Sequence, residues 1–162
     1  MITIRPVQPA DASEVKALIE GIMGDEFHAA RNLYALHDID DPGRYYSGKK
    51  DIFLVAEKDG HIVGTVAIKE DTPKTALLRR IFVRKNFRGK GYGEKLLARA
   101  MEFCFDHHYE TVVFRGVDKM QDALKLCLKN GFQETDVDLG QDLKLMILTK
   151  NLRADRPSAV QA

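Results

Sequence analysis

The chain has 162 residues, of which 44% are hydrophobic and 30% are charged, and its 25 basic and 24 acidic residues leave a net charge of +1. This size and composition are typical of one globular domain with a sizeable core, and they exclude disordered and fibrous designs. Because the charges nearly cancel and no stretch approaches the roughly 18 apolar residues of a membrane span, we expect neither nucleic-acid nor membrane binding.

The first half of the chain contains four predicted strands and two predicted helices, each recognised by the spacing of its apolar residues. In chain order they are a strand at residues 2–5, helices at 11–22 and 25–37, and strands at 52–56, 62–68 and 77–84. An Asp59-Gly60 step separates the second and third strands and indicates a β-hairpin. Residues 38–50 carry Pro42 and Gly43 and are predicted to form a loop.

The second half of the chain is predicted to continue the alternation of helix and strand. Its elements are an amphipathic helix at residues 93–107, a strand at 111–114, a helix that Asp118 caps and Asn130-Gly131 ends, and a strand at 143–149. Together, residues 1–150 are predicted to form a single α/β domain, and residues 151–162 a frayed C-terminal tail.

The two cysteines, Cys104 and Cys127, both lie in apolar helical patterns. Two cysteines in a chain of this size are typical of reduced core thiols and not of a disulfide framework. We therefore expect a reducing, cytoplasmic environment.

A glycine-rich segment, Arg88-Gly89-Lys90-Gly91-Tyr92-Gly93, lies between a predicted strand and the amphipathic helix. Glycines let the backbone approach a ligand, and the helix N-terminus adds amide groups and the positive end of the dipole, so a pyrophosphate is the expected guest. A glycine-rich turn with solvated basic residues is the alternative. The chain lacks the Gly-Lys-Ser/Thr of a P-loop, and a dinucleotide fold would place this turn after its first strand.

This segment resembles the Arg/Gln-x-x-Gly-x-Gly/Ala motif of the GNAT acetyltransferases, and Ile81-Phe82-Val83 precedes it as in that family. Lys129-Asn130-Gly131-Phe132 is similar to the family's Lys-x-Gly-Phe ending. The resemblance implies the GNAT fold, an α/β fold with a mixed, mostly antiparallel sheet of six or seven strands, splayed between strands four and five and flanked by about four helices. It also implies direct transfer of an acetyl group from acetyl-CoA to a primary amine.

The resemblance implies that the pantetheine threads between strands four and five and that the pyrophosphate binds to the glycine-rich segment. Acetyl-CoA is thus the expected cosubstrate, and no metal is expected. The cofactor-binding residues implied are Ile81, Phe82, Val83, Arg88, Gly89, Lys90, Gly91, Tyr92, Gly93, Ala123 and Cys127.

Two positions depart from the family pattern. Cys127 stands where many relatives have a tyrosine that protonates the leaving thiolate, and it is either a substitute acid or a core residue. Leu77 stands in place of the family's usual glutamate base, so the nearest candidates are Glu70 and Asp71, acting through water or merely lying in a solvated turn. A non-catalytic acyl-CoA-binding or sensing module is therefore the alternative function.

Four residues are candidates for the acceptor site. Because adjacent strand residues point to opposite faces, at least one of Arg79 and Arg80 is expected to face a covered side of the sheet or the cleft, where it would bind a carboxylate or phosphate. A solvated strand end is the alternative. Tyr45 and Tyr46 would line the acceptor pocket or anchor their loop. The expected partner is a small-molecule or peptide amine, and a homodimer is left open.

Overall fold

The computed structural model of the chain describes residues 1–27, 36–138 and 144–155, which form seven β-strands and four α-helices. The strands are β1 (Thr3–Pro6), β2 (Ile52–Lys58), β3 (His61–Thr72), β4 (Thr75–Val83), β5 (Thr111–Val117), β6 (Gln133–Asp138) and β7 (Lys144–Asn151). The helices are α1 (Ala12–Glu26), the single turn α2 (Pro42–Tyr45), α3 (Tyr92–Asp106) and α4 (Gln121–Lys129). Short 3₁₀ turns include His37–Asp40.

All seven strands join one mixed sheet in the order β1-β2-β3-β4-β5-β7-β6. Neighbouring strands are antiparallel except for β4 and β5, which pair in parallel over only four positions, from Thr75 with Thr111 to Leu78 with Phe114. The resemblance predicted this mixed sheet and the short pairing between the fourth and fifth strands, and the structure confirms both.

The sheet buries one apolar cluster on each face, because β-strand side chains alternate between faces. On one face α3 and α4 cover the sheet through residues such as Leu96, Leu97 and Leu124. On the other face α1 and the turn His37–Asp40 cover it, with Ile19 and Ile39 fully buried. The strands of the sheet thus separate a face covered by α3 and α4 from a face covered by α1.

Several sequence predictions are confirmed by these elements. The Asp59-Gly60 step does join β2 to β3, with Asp59 and Gly60 at positive φ values of 52° and 82°. The helix predicted at residues 93–107 is α3. Asn130 and Gly131 come directly after α4, and Gly131 has a φ of 92°. Both cysteines are free and buried, as predicted.

Other predictions were wrong in detail. The helix predicted at 25–37 falls largely outside the described residues, although α1 already extends to Glu26. Residues 38–50 were predicted to be a loop, but they contain α2 and bury Tyr46. Helix α4 begins at Gln121, so Asp118 does not cap it. Residues 151 and 152 were predicted to belong to a frayed tail, but Asn151 ends β7 and Leu152 is buried in the core, and residues 156–162 lie outside the described residues.

The tight contact between β3 and α3 generates a stability prediction. A Cβ atom on Gly64 would lie 2.9 Å from Cδ1 of Leu96 and 3.0 Å from the carbonyl oxygen of Phe82. That oxygen cannot move without disturbing the pairing of β3 with β4, so we expect Gly64→Ala to lower the free energy of unfolding by about 1–3 kcal/mol in urea titrations. The control is Gly21→Ala in α1, where no atom lies within 4 Å of the new Cβ. It should instead raise stability by about 0.5–1 kcal/mol.

Candidate active site

Strand β4 contains a β-bulge that shapes the site. The register between β3 and β4 shifts so that Val66 faces two residues, Arg80 and Ile81. Arg80 has a positive φ of 53°, a left-handed conformation that is uncommon for a residue other than glycine. The hydroxyl of Thr65 donates a hydrogen bond of 2.6 Å to the carbonyl oxygen of Arg80 and so fixes the bulge from the neighbouring strand.

The side chain of Arg80 is held by a buried ion pair with Asp38. The guanidinium donates from Nε and Nη2 to the two carboxylate oxygens at 3.0 and 2.7 Å, and the side chains are only 3% and 1% exposed. Tyr46 donates its hydroxyl to the same carboxylate at 2.7 Å. Burial by itself would raise the pKa of Asp38, but Arg80 and the Tyr46 hydrogen bond outweigh it and hold the pKa below its ordinary value. Asp38 is therefore ionised and fully engaged.

The bulge also corrects the prediction that adjacent strand residues point to opposite faces. Arg79 and Arg80 both reach Asp38, with Arg79 Nη2 4.0 Å from one carboxylate oxygen, so both lie on the face covered by α1. The extra residue of the bulge interrupts the alternation at this point. Arg79 also lies near Tyr45, whose hydroxyl is 3.5 Å from Nη1.

A cleft of about 630 Å³ opens where β4 and β5 part. Beyond Leu78 and Phe114 no pairing joins these two strands within the described residues, so β4 presents an unpaired edge from Arg79 to Val83. The backbone and side chains of Ile81, Phe82 and Val83 line the cleft. Its other lining residues come from both sides of the sheet, from α1 and from α4.

The glycine-rich segment forms one end of this cleft. Gly89 and Gly91 have φ values of 79° and 81°, and Gly91 directly precedes α3, without a side chain to cap the helix. The amide groups of the first turn of α3 are therefore left for a ligand. Of the cofactor residues expected from the sequence, nine line the cleft: Ile81, Phe82, Val83, Arg88, Gly89, Gly91, Tyr92, Gly93 and Ala123. Lys90 and Cys127 are not among them.

Arg88 is not the unpaired cation that the sequence suggested. It donates two hydrogen bonds, of 2.6 and 2.8 Å, to the carboxylate of Glu26 at the end of α1, and a third, of 2.8 Å, to the carbonyl oxygen of Val83. The hydrogen bond to Glu26 raises the pKa of Arg88 above its ordinary value. Arg88 therefore ties the glycine-rich segment to α1. No local sequence pattern indicated this contact, because the partners are 62 residues apart.

The three expected acid and base candidates lie away from the cleft. Cys127 is fully buried in the core beneath α4, and burial raises the pKa of its thiol to about 12, which argues against its acting as the acid. Glu70 and Asp71 are exposed near the end of β3. This strand extends to Thr72, so the turn that follows it comes later than predicted. Neither carboxylate lines the cleft.

Neither a metal-binding cluster nor a membrane-spanning helix is found in the described part of the chain. No group of three or more histidine, cysteine, aspartate and glutamate side chains there is arranged to hold a metal ion. Among the same residues, none of the helices has the length and apolar character that crossing a membrane requires.

Comparisons with known proteins agree with this geometry. The sequence model of the acetyltransferase (GNAT) family matches residues 17–132. The chain is 29% identical over 125 residues to the N-acetylaspartate synthetase of Xenopus tropicalis, a match that covers 72% of this chain and 46% of that protein. It spans roughly a third to a half of the length of the curated relatives that it matches.

Solved structures show the same fold. A GNAT-family acetyltransferase from Staphylococcus aureus Mu50 has a TM-score of 0.80 at 22% identity, covering 94% of this chain and 99% of that one. A protein from Salmonella typhimurium, solved with its cofactor acetyl-CoA, has a TM-score of 0.73 at 20% identity, covering 93% of this chain and 94% of that one.

The Asp38–Arg80 pair generates a prediction about stability and pH. Asp38→Asn leaves a buried guanidinium without its counter-charge, and we expect a loss of about 3–5 kcal/mol in the free energy of unfolding at pH 7. Because the folded pKa of Asp38 is lowered, the pair stabilises above the unfolded value of about 4 and loses its effect as pH falls through the folded pKa. The difference between wild type and variant should therefore shrink in strongly acidic urea titrations.

The control is Asp40→Asn in the same 3₁₀ turn. Asp40 is 59% exposed and pairs at 2.7 Å with Lys16, so its loss should cost no more than about 1 kcal/mol. Equal effects of the two substitutions would contradict the importance assigned to the buried pair.

Proposed function

This chain belongs to the GNAT family of acetyltransferases, and on that premise we propose that it moves the acetyl group of acetyl-CoA to a primary amine by direct transfer in a ternary complex. The observation that carries the proposal is the cleft at the parting of β4 and β5, which is lined from both faces of the sheet. One face can hold the cofactor while the other admits the acceptor. The amine nitrogen then attacks the thioester carbonyl, the C–S bond breaks, and the amine loses a proton as the CoA thiolate leaves.

The unpaired edge of β4 supports the proposed position of the cofactor. Backbone groups between Arg79 and Val83 have no strand partner on the side of β5, so an extended pantetheine chain can pair with them as an added strand. Gly91 and the first turn of α3 supply amide groups for the pyrophosphate at the end of the same cleft. The pantetheine chain would connect the edge of β4 with the pyrophosphate site.

The carboxylates of the site do not provide an obvious base. Asp38 is committed to Arg80, and the two acidic residues that line the cleft, Glu94 and Asp122, lie on the helices of the opposite face. We propose that the acceptor reacts from its neutral fraction, with Glu70 and Asp71 helping through water at most. The leaving thiolate has an ordinary thiol pKa of about 8.5, so it needs no strong protein acid.

We also propose a cytoplasmic location. Its support is the pair of free, buried cysteines, which fits a reducing compartment.

The experiment that tests the function measures acetyl-CoA-dependent release of CoA with a panel of amines. The panel contains amino acids, polyamines, aromatic amines and peptides with free N-termini, and mass spectrometry identifies the acetylated product. We expect at least one amine to be acetylated. Binding of acetyl-CoA without turnover of any amine would instead support an acyl-CoA-binding module.

The cofactor site generates its own prediction. Gly91→Asp adds a side chain at φ 81° and a negative charge where the pyrophosphate is proposed to bind, so calorimetry should show acetyl-CoA affinity lowered by at least tenfold. The matched control is Gly60→Asp in the β2–β3 hairpin, at φ 82° and likewise with no atom within 4 Å of the new Cβ. It imposes the same strain and charge at a residue that does not line the cleft, and it should leave affinity unchanged. Normal binding by the Gly91 variant would show that the cofactor site is misassigned.

The proton route predicts the pH profile. Without a dedicated base, kcat/KM should rise with pH towards the pKa of the acceptor amine, and neither Glu70→Gln nor Asp71→Asn should cost more than a few-fold. A positioned base typically contributes roughly 100-fold or more. If the wild-type profile levels off near pH 6–7 and one of these variants loses that plateau, the substituted carboxylate is the base and the proposal is wrong.

A further inference from the structure

Arg79 occupies an unusual position on the cleft wall. Its side chain is 26% exposed, lines the cleft and lies with its guanidinium carbon 5.8 Å from the centre of the Tyr45 ring. Within the described part of the chain it makes one hydrogen bond, at 3.5 Å, to the Tyr45 hydroxyl. A guanidinium has five N–H donors, so most of the donors of Arg79 are available to a ligand.

The nearest carboxylate cannot satisfy Arg79. Asp38 already accepts two hydrogen bonds from Arg80 and one from Tyr46, which leaves Arg79 at 4.0 Å, the outer limit of an ion pair. One carboxylate thus lies beside two guanidinium groups, and Arg79 is the one that it does not bond directly. The neighbouring cation Lys69 is already balanced by Asp51 at 2.8 Å.

A second arginine lines the opposite wall. Pairing of β4 with β5 ends at Leu78 and Phe114, and Arg79 and Arg115 are the next residues of these two strands. Arg115 is exposed and lines the same cleft. Each of the two parting strands thus brings an arginine to the cleft.

The two acidic residues that line the cleft belong to α3 and α4. Glu94 pairs with Lys129 at 3.0 Å, and Asp122 lies close enough to Arg88 to raise its pKa. Both belong to the face where the cofactor is proposed to bind. On the face covered by α1, Arg79 therefore places a cation with unused donors where an acceptor would enter.

From this geometry we infer that the acceptor amine carries a carboxylate, which Arg79 binds. The inference rests on the proposed acetyl transfer and specifies its substrate class. A planar guanidinium binds a carboxylate through two parallel hydrogen bonds, and the cleft walls reduce screening by water. The contact would hold the amine beside the bulge at Arg80 and Ile81, on the edge of β4 with which the pantetheine is proposed to pair. A polyamine, by contrast, would bring further positive charge to a positive wall.

The first test compares L-alanine with L-alaninamide and L-aspartate with L-asparagine, with kcat/KM expressed per neutral amine because removing the α-carboxylate also lowers the pKa of the amine. The first pair tests the α-carboxylate and the second tests a side-chain carboxylate. We expect wild-type kcat/KM to be at least tenfold higher for the member that carries the carboxylate in one of these pairs. The variant Arg79→Met should remove most of that preference by raising KM, whereas Arg79→Lys should keep part of it.

The matched control is Arg153→Met. Arg153 is 71% exposed and pairs with Glu110 at the other end of β5, so this variant should keep the wild-type preference. Thermal melting of each variant checks that it is folded. Equal kcat/KM for both members of both pairs, or a preference that survives Arg79→Met, would overturn the inference while leaving acetyl transfer in place.

A binding measurement separates failure of the inference from failure of the proposed function. Succinate has carboxylates but no amine, so its calorimetric titration into the CoA complex tests the anion site without any chemistry. Binding in wild type that weakens at least tenfold in Arg79→Met, without turnover of any amine, would support the anion site and reject the transferase. If no amine is acetylated and succinate does not bind, the inference is wrong as well.

Discussion

The buried ion pair between Asp38 and Arg80 is the interaction on which the site depends. It holds an arginine in a left-handed conformation within a strand, and this conformation defines the bulge of β4. The bulge begins two residues after Leu78, the last residue of β4 that pairs with β5, so the two strands part beside it. A residue from a 3₁₀ turn, 42 positions away, thereby supports the opening in which the chemistry is proposed to occur.

The two faces of the sheet give the cleft two different chemical characters. Glycines and the first turn of α3 offer backbone amides at one end, whereas the side covered by α1 combines arginine side chains with apolar ones such as Met23 and Phe27. Backbone donors suit a cofactor that is the same in every turnover. Side chains suit the variable partner, because they can be exchanged without changing the fold.

The parts of the structure that the sequence predicted are those with local signals. The Asp59-Gly60 turn, the apolar stripe of α3 and the glycine-rich segment are each readable within a few residues. The Arg88–Glu26 and Arg80–Asp38 pairs could not be predicted, because partners 62 and 42 residues apart leave no periodic pattern. The side-chain direction predicted for Arg80 was wrong for a related reason, because a bulge depends on the register with another strand. Strand β6 was missed because its polar sequence, Gln133–Asp138, does not alternate.

The contact between Arg88 and Glu26 has a consequence for how the cofactor and the acceptor affect each other's binding. Glu26 ends α1, the helix that also contributes Met23 to the cleft wall. Any phosphate that draws Arg88 away from Glu26 also loosens one attachment of that wall. The two ligands are then thermodynamically linked, and linkage is reciprocal: whatever the cofactor does to the affinity for the acceptor, the acceptor does equally to the affinity for the cofactor. The contact between Arg88 and Glu26 would thus make the binding of cofactor and acceptor cooperative in this small domain.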